Sequence, residues 1–413
     1  MINRRDFITI ADAPPKITEQ SLGVFKRSGI KFFVAYPDDD NHYETLEKCR
    51  QLGIDVFVFG GSVVCDSNRS VFKNAIGNFP NYWARYETEG ADLNDYENVK
   101  GLYIIDEPGA NLFDDMVNIY VPWHNKNFVN KKLWHVNLLP SYASAESQLG
   151  VMPEKDKSAF EVYVDKYVEQ VLSKVKGIKT LGVDHYPMRE KGGKLIMSDD
   201  WINDIAIVGE AAKRANAIYS VCIQCYYDQD IKIMDCTADI RIQVYCALAF
   251  GASMFEIYAY SSKDGKGTMT DGDGNPTLRY YAVRDVLSEI DAFKEQYLAR
   301  DLVGTKFFTA NGKIEPAFEK AKNRQIEKFS NLKDVSVTQN TIISEYTDGN
   351  KAGYLIVNYG IPALTKSNLV DLKLDGCESI TLYRYGRKEI VPVENGKICL
   401  LIEAGQGVFL VLN

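Results

Sequence analysis

Over its first 260 or so residues the chain repeats one grammar eight times, a short apolar run of β type followed in most cases by an amphipathic helical stretch. Few folds accommodate that alternation. The runs are Phe7–Ala11, Lys31–Tyr36, Asp55–Gly60, Gly101–Ile105, Lys132–Leu138, Thr180–Asp184, Ser220–Tyr226 and Ser253–Tyr260. Most are nearly continuous in Val, Ile and Phe, as parallel strands buried on both faces must be. Helices are expected over Thr18–Ser28, His42–Leu52, Ala159–Val175, Trp201–Ala215 and Thr237–Phe250, with Thr18 as an N-cap and Gly29 and Gly53 as stops. Eight such units in this length predict a (β/α)8 barrel. A doubly wound open sheet would carry a Gly-rich phosphate-binding turn after the first strand, and none is present.

After a last helix over Leu278–Tyr297 the grammar changes. The stretch Gly304–Asn331 is mixed and charged, with no clear assignment. From Val335 onward short β runs are parted by Asp-Gly, Asn-Gly and Gly-Gln-Gly turns: Thr341–Glu345, Gly353–Asn358, Leu369–Leu374, Ile380–Arg384, Lys397–Leu401 and Val408–Leu412. The expected organisation is α/β: a catalytic (β/α)8 TIM barrel over residues 1–300 and a small all-β sandwich over 301–413.

With 56 acidic against 48 basic residues, a net charge of −8 offers no basic patch for nucleic acid or an anionic membrane. No apolar run approaches the ~20 residues of a membrane span. The start, Met1-Ile-Asn-Arg-Arg-Asp-Phe7, has a twin-arginine look, but Asp12, Pro14 and Pro15 interrupt any apolar segment after it. The expected location is cytoplasmic, or secreted or cell-surface if a signal has been removed upstream. The Cys222-Ile-Gln-Cys225 pair lies inside an expected strand, where its sulfurs point to opposite faces. No second Cys pair or His cluster completes a zinc site, so the cysteines read as buried free thiols, and no metal or cofactor is expected. Asp271-Gly-Asp273-Gly reads as a plain turn, since the later ligands of a calcium loop are missing. The 25 Tyr, 19 Phe and 4 Trp suit a neutral, hydroxyl-rich partner, because aromatic faces stack on sugar rings. The oligomeric state is not legible.

Barrel sites are built at the C-terminal ends of the strands. The polar residues there are Asp12, Tyr36 with Asp38, Ser62, Asp106 and Glu107 before Pro108, Asn137, then Asp184, His185 and Tyr186, then Gln224 and Tyr226, and finally Glu256, Tyr258 and Tyr260. The set is rich in carboxylates, amides and Tyr. It lacks the cations of phosphoryl transfer and the lysine of Schiff-base chemistry. Glycosidic cleavage, by contrast, needs one carboxylic acid to protonate the leaving oxygen and a second carboxylate to attack or to activate water. Glu107 is the candidate acid. For the second group Asp184 ranks first, sharing a face with Tyr186, and Glu256 second. Asp106 with a substrate acetamido group as nucleophile is third. Asp12, Tyr36, Asp106, Asn137, His185, Tyr186, Gln224, Tyr226, Tyr258 and Tyr260 are the candidate sugar contacts. His185 alternates away from Asp184 and Tyr186, so packing against a helix is as much expected of it as substrate contact. His135 is expected in the barrel wall, and His42 and His124 in helical regions.

Gly101-Leu-Tyr-Ile-Ile-Asp-Glu-Pro108 resembles the fourth-strand signature of clan A glycoside hydrolases, such as the family 42 β-galactosidases. Ala247–Ala252, Asp273–Thr277 with Tyr280-Tyr281, and Ile402–Leu410 are similar to later segments of such proteins. The resemblance implies a retained acid/base at Glu107, a carbohydrate substrate and a β-domain after the barrel. Two departures stand out. The Asn that precedes the acid in the family is Asp106 here, and the family's strand-seven Glu has no counterpart in Gln224-Cys-Tyr-Tyr227. Either the strand count is off by one and Glu256 is that nucleophile, or the group is divergent, with another second carboxylate or without hydrolysis. Glycoside hydrolysis is therefore the leading expectation and carbohydrate binding on a degenerate barrel the alternative.

Overall fold

A computed structural model describes residues 2–36, 42–59, 93–151, 158–226, 236–262, 267–312 and 315–413. Asp38, Ser62 and Cys65, and the side chain of His42, lie outside the described residues. Eight parallel strands close into a barrel: β1 (Ile8–Ala11), β2 (Phe32–Ala35), β3 (Asp55–Phe59), β4 (Val99–Asp106), β5 (Leu133–Leu138), β6 (Thr180–Val183), β9 (Ile218–Gln224) and β10 (Met254–Tyr258). A short antiparallel hairpin, β7 (Met188–Lys191) and β8 (Lys194–Met197), follows the sixth barrel strand. The strand count therefore stands. Cys222 and Gln224 lie on the seventh barrel strand, and Glu256 lies on the eighth.

The apolar runs divide their side chains between two layers, as the two-residue period of a strand requires. Ile8, Ile10, Phe32, Val34, Phe57, Tyr103 and Met254 fill the barrel interior. Ala11, Phe33, Ala35, Val56, Val58 and Leu102 face the helices outside. The helices are α1 (Glu19–Lys26), α2 (His42–Gln51), α3 (Val121–Asn127), α4 (Ala159–Gln170), α5 (Trp201–Arg214), α6 (Thr237–Ala249) and α7 (Leu278–Asp291), with shorter turns between them. Thr18 caps α1 as expected, its hydroxyl accepting from the Ser21 amide at 3.2 Å. His124, on α3, is buried and reaches the Lys132 carbonyl at 3.3 Å.

Gly101 on β4 lets the ring of Phe57 lie across the interior. A Cβ there would stand 2.5 Å from a Phe57 ring carbon. Gly101→Ala is expected to destabilise the fold by about 1–3 kcal/mol through overpacking, seen as a lower urea midpoint. An unchanged midpoint would show that the ring has room to move.

From Asp301 the chain is antiparallel β structure. Strands β11 (Asp301–Phe308), β13 (Thr341–Thr347), β14 (Ala352–Asn358), β19 (Gly407–Leu412), β16 (Ser379–Arg384) and β17 (Arg387–Pro392) form one sheet in that order. Strands β12 (Leu332–Val337), β15 (Asn368–Leu374) and β18 (Lys397–Ile402) form a second. Ile343, Ile356, Val370, Leu372, Leu400 and Leu410 join the two through one core. The larger sheet leans on the end of α6, where Ser344 Oγ and Thr305 Oγ1 donate to the Ala249 carbonyl at 2.7 and 3.1 Å. Among the described residues no helix is long and apolar enough to cross a membrane.

Candidate active site

Eight of the residues singled out in the sequence meet at the C-terminal mouth of the barrel. Asp12, Asp106, Glu107, Asp184, Tyr186, Tyr226, Glu256 and Tyr258 line one cavity of about 220 Å3, together with Cys222. That is small beside the roughly 300–1,000 Å3 of pockets for drug-sized ligands.

The fourth strand delivers two neighbouring carboxylates to this cavity by an irregularity. Strict alternation would turn Ile105 inward with Tyr103 and send Asp106 out to the helices. Instead the pairing of β4 with β5 slips between Tyr103 and Ile105. Ile104 and Ile105 both enter the helix-side core, and Asp106 turns into the cavity. Glu107 then takes a left-handed backbone, φ 48°, which costs a non-glycine residue roughly 1–2 kcal/mol. Such a strained conformation at a strand end is a mark of functional positions. Its amide donates to the Asn137 carbonyl at 3.0 Å, and Tyr163 on α4 donates to the Pro108 carbonyl at 2.5 Å. The turn that carries Glu107 is thus pinned from both sides.

Five carboxylates share the cavity, and burial dominates their protonation. Burial, with Asp184 and Asp106 nearby, pushes Glu107 up to about 9. Burial and the charge of Asp184 push Asp106 up to about 8, against the opposing hydrogen bond from Tyr103 at 2.6 Å. Burial also raises Asp184, but hydrogen bonds from Tyr186 and Cys222 hold it to about 6. Asp12, which accepts from Tyr36 and from the Ala13 amide, is raised by burial as well.

Glu256 forms the floor. Burial, reinforced by Asp12 and Asp106, raises it well above the ordinary range. Asn137 donates to its Oε2 at 2.6 Å, and His135 meets the same oxygen through Nε2 at 3.0 Å. His135 is held neutral by burial, at about 3, and its Nδ1 pairs with Thr180 Oγ1 at 2.7 Å. Gly182 makes room for the Asn137 amide, since a Cβ there would fall 2.3 Å from Asn137 Oδ1.

Five other sequence candidates stand apart from the cavity lining. Tyr36 acts through Asp12, and Asn137 through Glu256. His185 faces outward, its ring nitrogens 2.7 Å from Asp204 Oδ2 on α5 and 3.0 Å from Ser198 Oγ. Gln224 is wholly buried and committed to the backbone of Met188, accepting from its amide and donating to its carbonyl, both at 2.9 Å. Tyr260 packs on Phe25 under α1, with ring centroids 5.6 Å apart. Strand β10 ends at Tyr258, so the alternation that aims Glu256 and Tyr258 does not extend to Tyr260. Cys222 and Cys225 point to opposite faces as expected, Cys222 into the cavity and Cys225 into the outer core. Cys236 and Cys399, read as buried, are exposed. Asp271 Oδ1 accepts the amides of Asp273 and Asn275, which makes that segment a turn.

The wall above the carboxylates is aromatic. Tyr186, Tyr226 and Tyr258 form a triad with centroids 4.8–5.7 Å apart. Tyr142 was not legible in the sequence as a site residue, because it lies past the end of its strand in a polar loop. It sits at the rim within electrostatic reach of Asp184 and Glu107.

No family model matches the chain, and no curated protein matches it. Solved structures do. A noncanonic maltogenic α-amylase from Thermotoga neapolitana aligns over 100% of this chain and 99% of its own, at 10% identity and a TM-score of 0.54. The α-galactosidase I of Mortierella vinacea aligns over 99% of this chain and 97% of its own, at 9% identity and a TM-score of 0.51. The likeness is one of fold: a barrel followed by antiparallel β-sheets, as found in diverse glycoside hydrolases.

The clustered carboxylates predict a pH signature in stability. In the unfolded chain these groups titrate at ordinary values, near 4. In the folded state Asp184, Asp106 and Glu107 are raised to about 6, 8 and 9. A raised carboxyl favours the fold while protonated, so that stability is fully present below the unfolded value and is lost as pH rises through the folded values. Tm should fall progressively between pH 5 and pH 9, and the fall should be shallower in Glu107→Gln. Parallel curves for the two proteins would show that Glu107 does not titrate there.

Proposed function

We propose that the protein is a glycoside hydrolase that cleaves an O-glycosidic bond in an oligosaccharide or glycan, with Glu107 as general acid and Asp184 as the second carboxylate. The observation that carries this is one cavity in which Glu107 is raised to about 9 and Asp184 only to about 6. At neutral pH the first holds a proton to give and the second is mostly ionised. Environments that push two carboxyls apart in this way separate an acid from a nucleophile or base. The cavity size and the Tyr186, Tyr226 and Tyr258 walls support a sugar ring as occupant, and the strand-four likeness to family 42 enzymes supports Glu107 as the acid. Glu256, already engaged by Asn137 and His135, would tune the floor.

In this reading Glu107 protonates the leaving oxygen as the glycosidic bond breaks, while Asp184 attacks the anomeric carbon or takes a proton from the attacking water. kcat/KM should be bell-shaped, with a rising limb near pH 6 and a falling limb near pH 9. A flat profile over that range would remove both assignments. One observation favours a second reading, sugar binding without turnover. Strand β9 brings Cys222 to the cavity and ties Gln224 to Met188, so it supplies no carboxylate. A panel of aryl glycosides and natural glycans, read by released sugar, tests the choice. Turnover on any member supports hydrolysis, and binding without turnover on every member supports the second reading.

A further inference from the structure

The rim of the cleft carries a cation that nothing in the proposed chemistry uses. Arg189, on β7, lies over the ring of Tyr142 with its guanidinium carbon 4.3 Å from the centroid. It is half-buried, and among the described residues it makes no ion pair, although five carboxylates line the adjacent cavity. An unpaired guanidinium presents a planar fork of donors suited to a carboxylate or another oxyanion. Stacking on Tyr142 restrains that fork without occupying its donors.

The support beneath both residues is rigid and buried. Tyr142 follows Ser141, whose amide donates to Asp204 Oδ2 at 2.9 Å. The same oxygen binds His185, and the His185 ring stands edge-on to Tyr142 with centroids 5.0 Å apart. Arg189 follows Met188, whose peptide is clamped on both sides by Gln224. Ser198, at the far end of the hairpin, donates its amide to the Pro187 carbonyl at 2.8 Å and meets His185 through its hydroxyl. The buried polar residues Asp204, His185 and Gln224 therefore fix a cation and an aromatic ring at the cleft mouth. Tyr142 keeps 46% of its surface exposed.

Their side of the cleft is set by topology. Tyr142 lies in the loop after β5, between the strand ends that carry Glu107 and Asp184, and Arg189 reaches its ring from the hairpin after β6, beyond Asp184. A general acid faces the leaving-group oxygen, so a leaving unit held by Glu107 would lie against Tyr142, in the loop of the neighbouring strand. We propose that Arg189 and Tyr142 form a leaving-group subsite for a sugar unit bearing a carboxylate or sulfate. An anionic group would be repelled from the carboxylate-lined cavity itself and accepted at this rim. The assignment of the subsite to the leaving side rests on the hydrolysis proposed above.

The test pairs charged oligosaccharides with neutralised forms of the same chains: uronate-bearing pools beside their carboxyl-reduced products, and sulfated pools beside their desulfated products. Binding is measured by calorimetry on Glu107→Gln, so that no turnover is needed, and hydrolysis on the wild type. One of the charged pools should bind at least ~10-fold tighter than its neutral form, as a hydrogen bond to a charged group warrants. Adding Arg189→Gln should bring the two forms within about twofold. In an active background the substitution should act mainly on KM. Lys194→Gln, on the other strand of the same hairpin, should leave the ratio unchanged. Equal binding of charged and neutral forms in both pools would overturn the subsite, as would a Lys194→Gln effect as large as that of Arg189→Gln. A charge preference in a protein that hydrolyses no member would leave the anion site standing and sink the hydrolysis. Hydrolysis with no charge preference would do the reverse. The pool that shows the preference identifies the group.

Discussion

Replacing Glu107 by Gln should lower kcat/KM by ~10²–10⁴-fold, the range that a positioned acid supplies. The loss should depend on the leaving group. An aryl glycoside with an acidic phenol needs little protonation and should lose least, whereas a natural sugar leaving group should lose most. The amide fills the same space, so the left-handed turn, the Asn137 contact and the Tyr163–Pro108 bond have no reason to change. Tm should hold near pH 5 and gain progressively on the wild type toward pH 9, because a buried group that resists ionisation has been neutralised. An equal loss for every leaving group would show that Glu107 positions substrate without donating its proton.

Asp184→Asn should cost at least ~100-fold in kcat/KM and remove the rising limb near pH 6. Its neighbours Tyr186 and Cys222 can still donate to the amide oxygen, so the cavity wall is retained. A loss below ~10-fold would pass the role to Glu256, the other candidate on the cavity. That transfer would require Glu256 to act from beneath its contacts with Asn137 and His135. Single-turnover measurements separate the two carboxylate roles, because removal of a nucleophile or base slows chemistry and leaves substrate binding largely in place.

The barrel was legible because buried parallel strands leave little choice of residue. Runs such as Lys31–Tyr36 and Lys132–Leu138 read as strands, and each barrel strand falls within about two residues of its expected bounds. The strand-end carboxylates were legible by the same logic, since an Asp or Glu closing an apolar strand has few places to point. Other features left weaker signals. The slip in β4 falls within Leu102-Tyr-Ile-Ile105, where no Gly, Pro or polar residue marks it. The β7–β8 hairpin could have been found from Gly192-Gly193, whose φ values of 59° and 74° are those of a two-residue turn between strands. Gln224 and His185 look like site residues by position. What decides their roles is partners distant in sequence, Met188 and Asp204, which pattern alone does not reveal. Strand β11 was missed because its alternation is shallow, with most of its residues half-exposed.

Adjacent residues of a regular strand cannot serve one cavity, because they point to opposite faces. The extra residue in β4 suspends that rule at one place and turns Asp106 into the cleft. The left-handed backbone at Glu107 keeps the next residue there too, so that the two stand as a couple. Their partnership is written in the length of the strand rather than in the identity of any side chain. Ile104 and Ile105 could be exchanged for other aliphatic residues with little consequence for the cleft. Deleting either would rotate the strand end by half a turn, move Asp106 among the helices, and undo the couple without touching either acid. In a lineage that carries this barrel, the frame of the fourth strand is thus a heritable trait of the site, and insertions and deletions there matter more than substitutions.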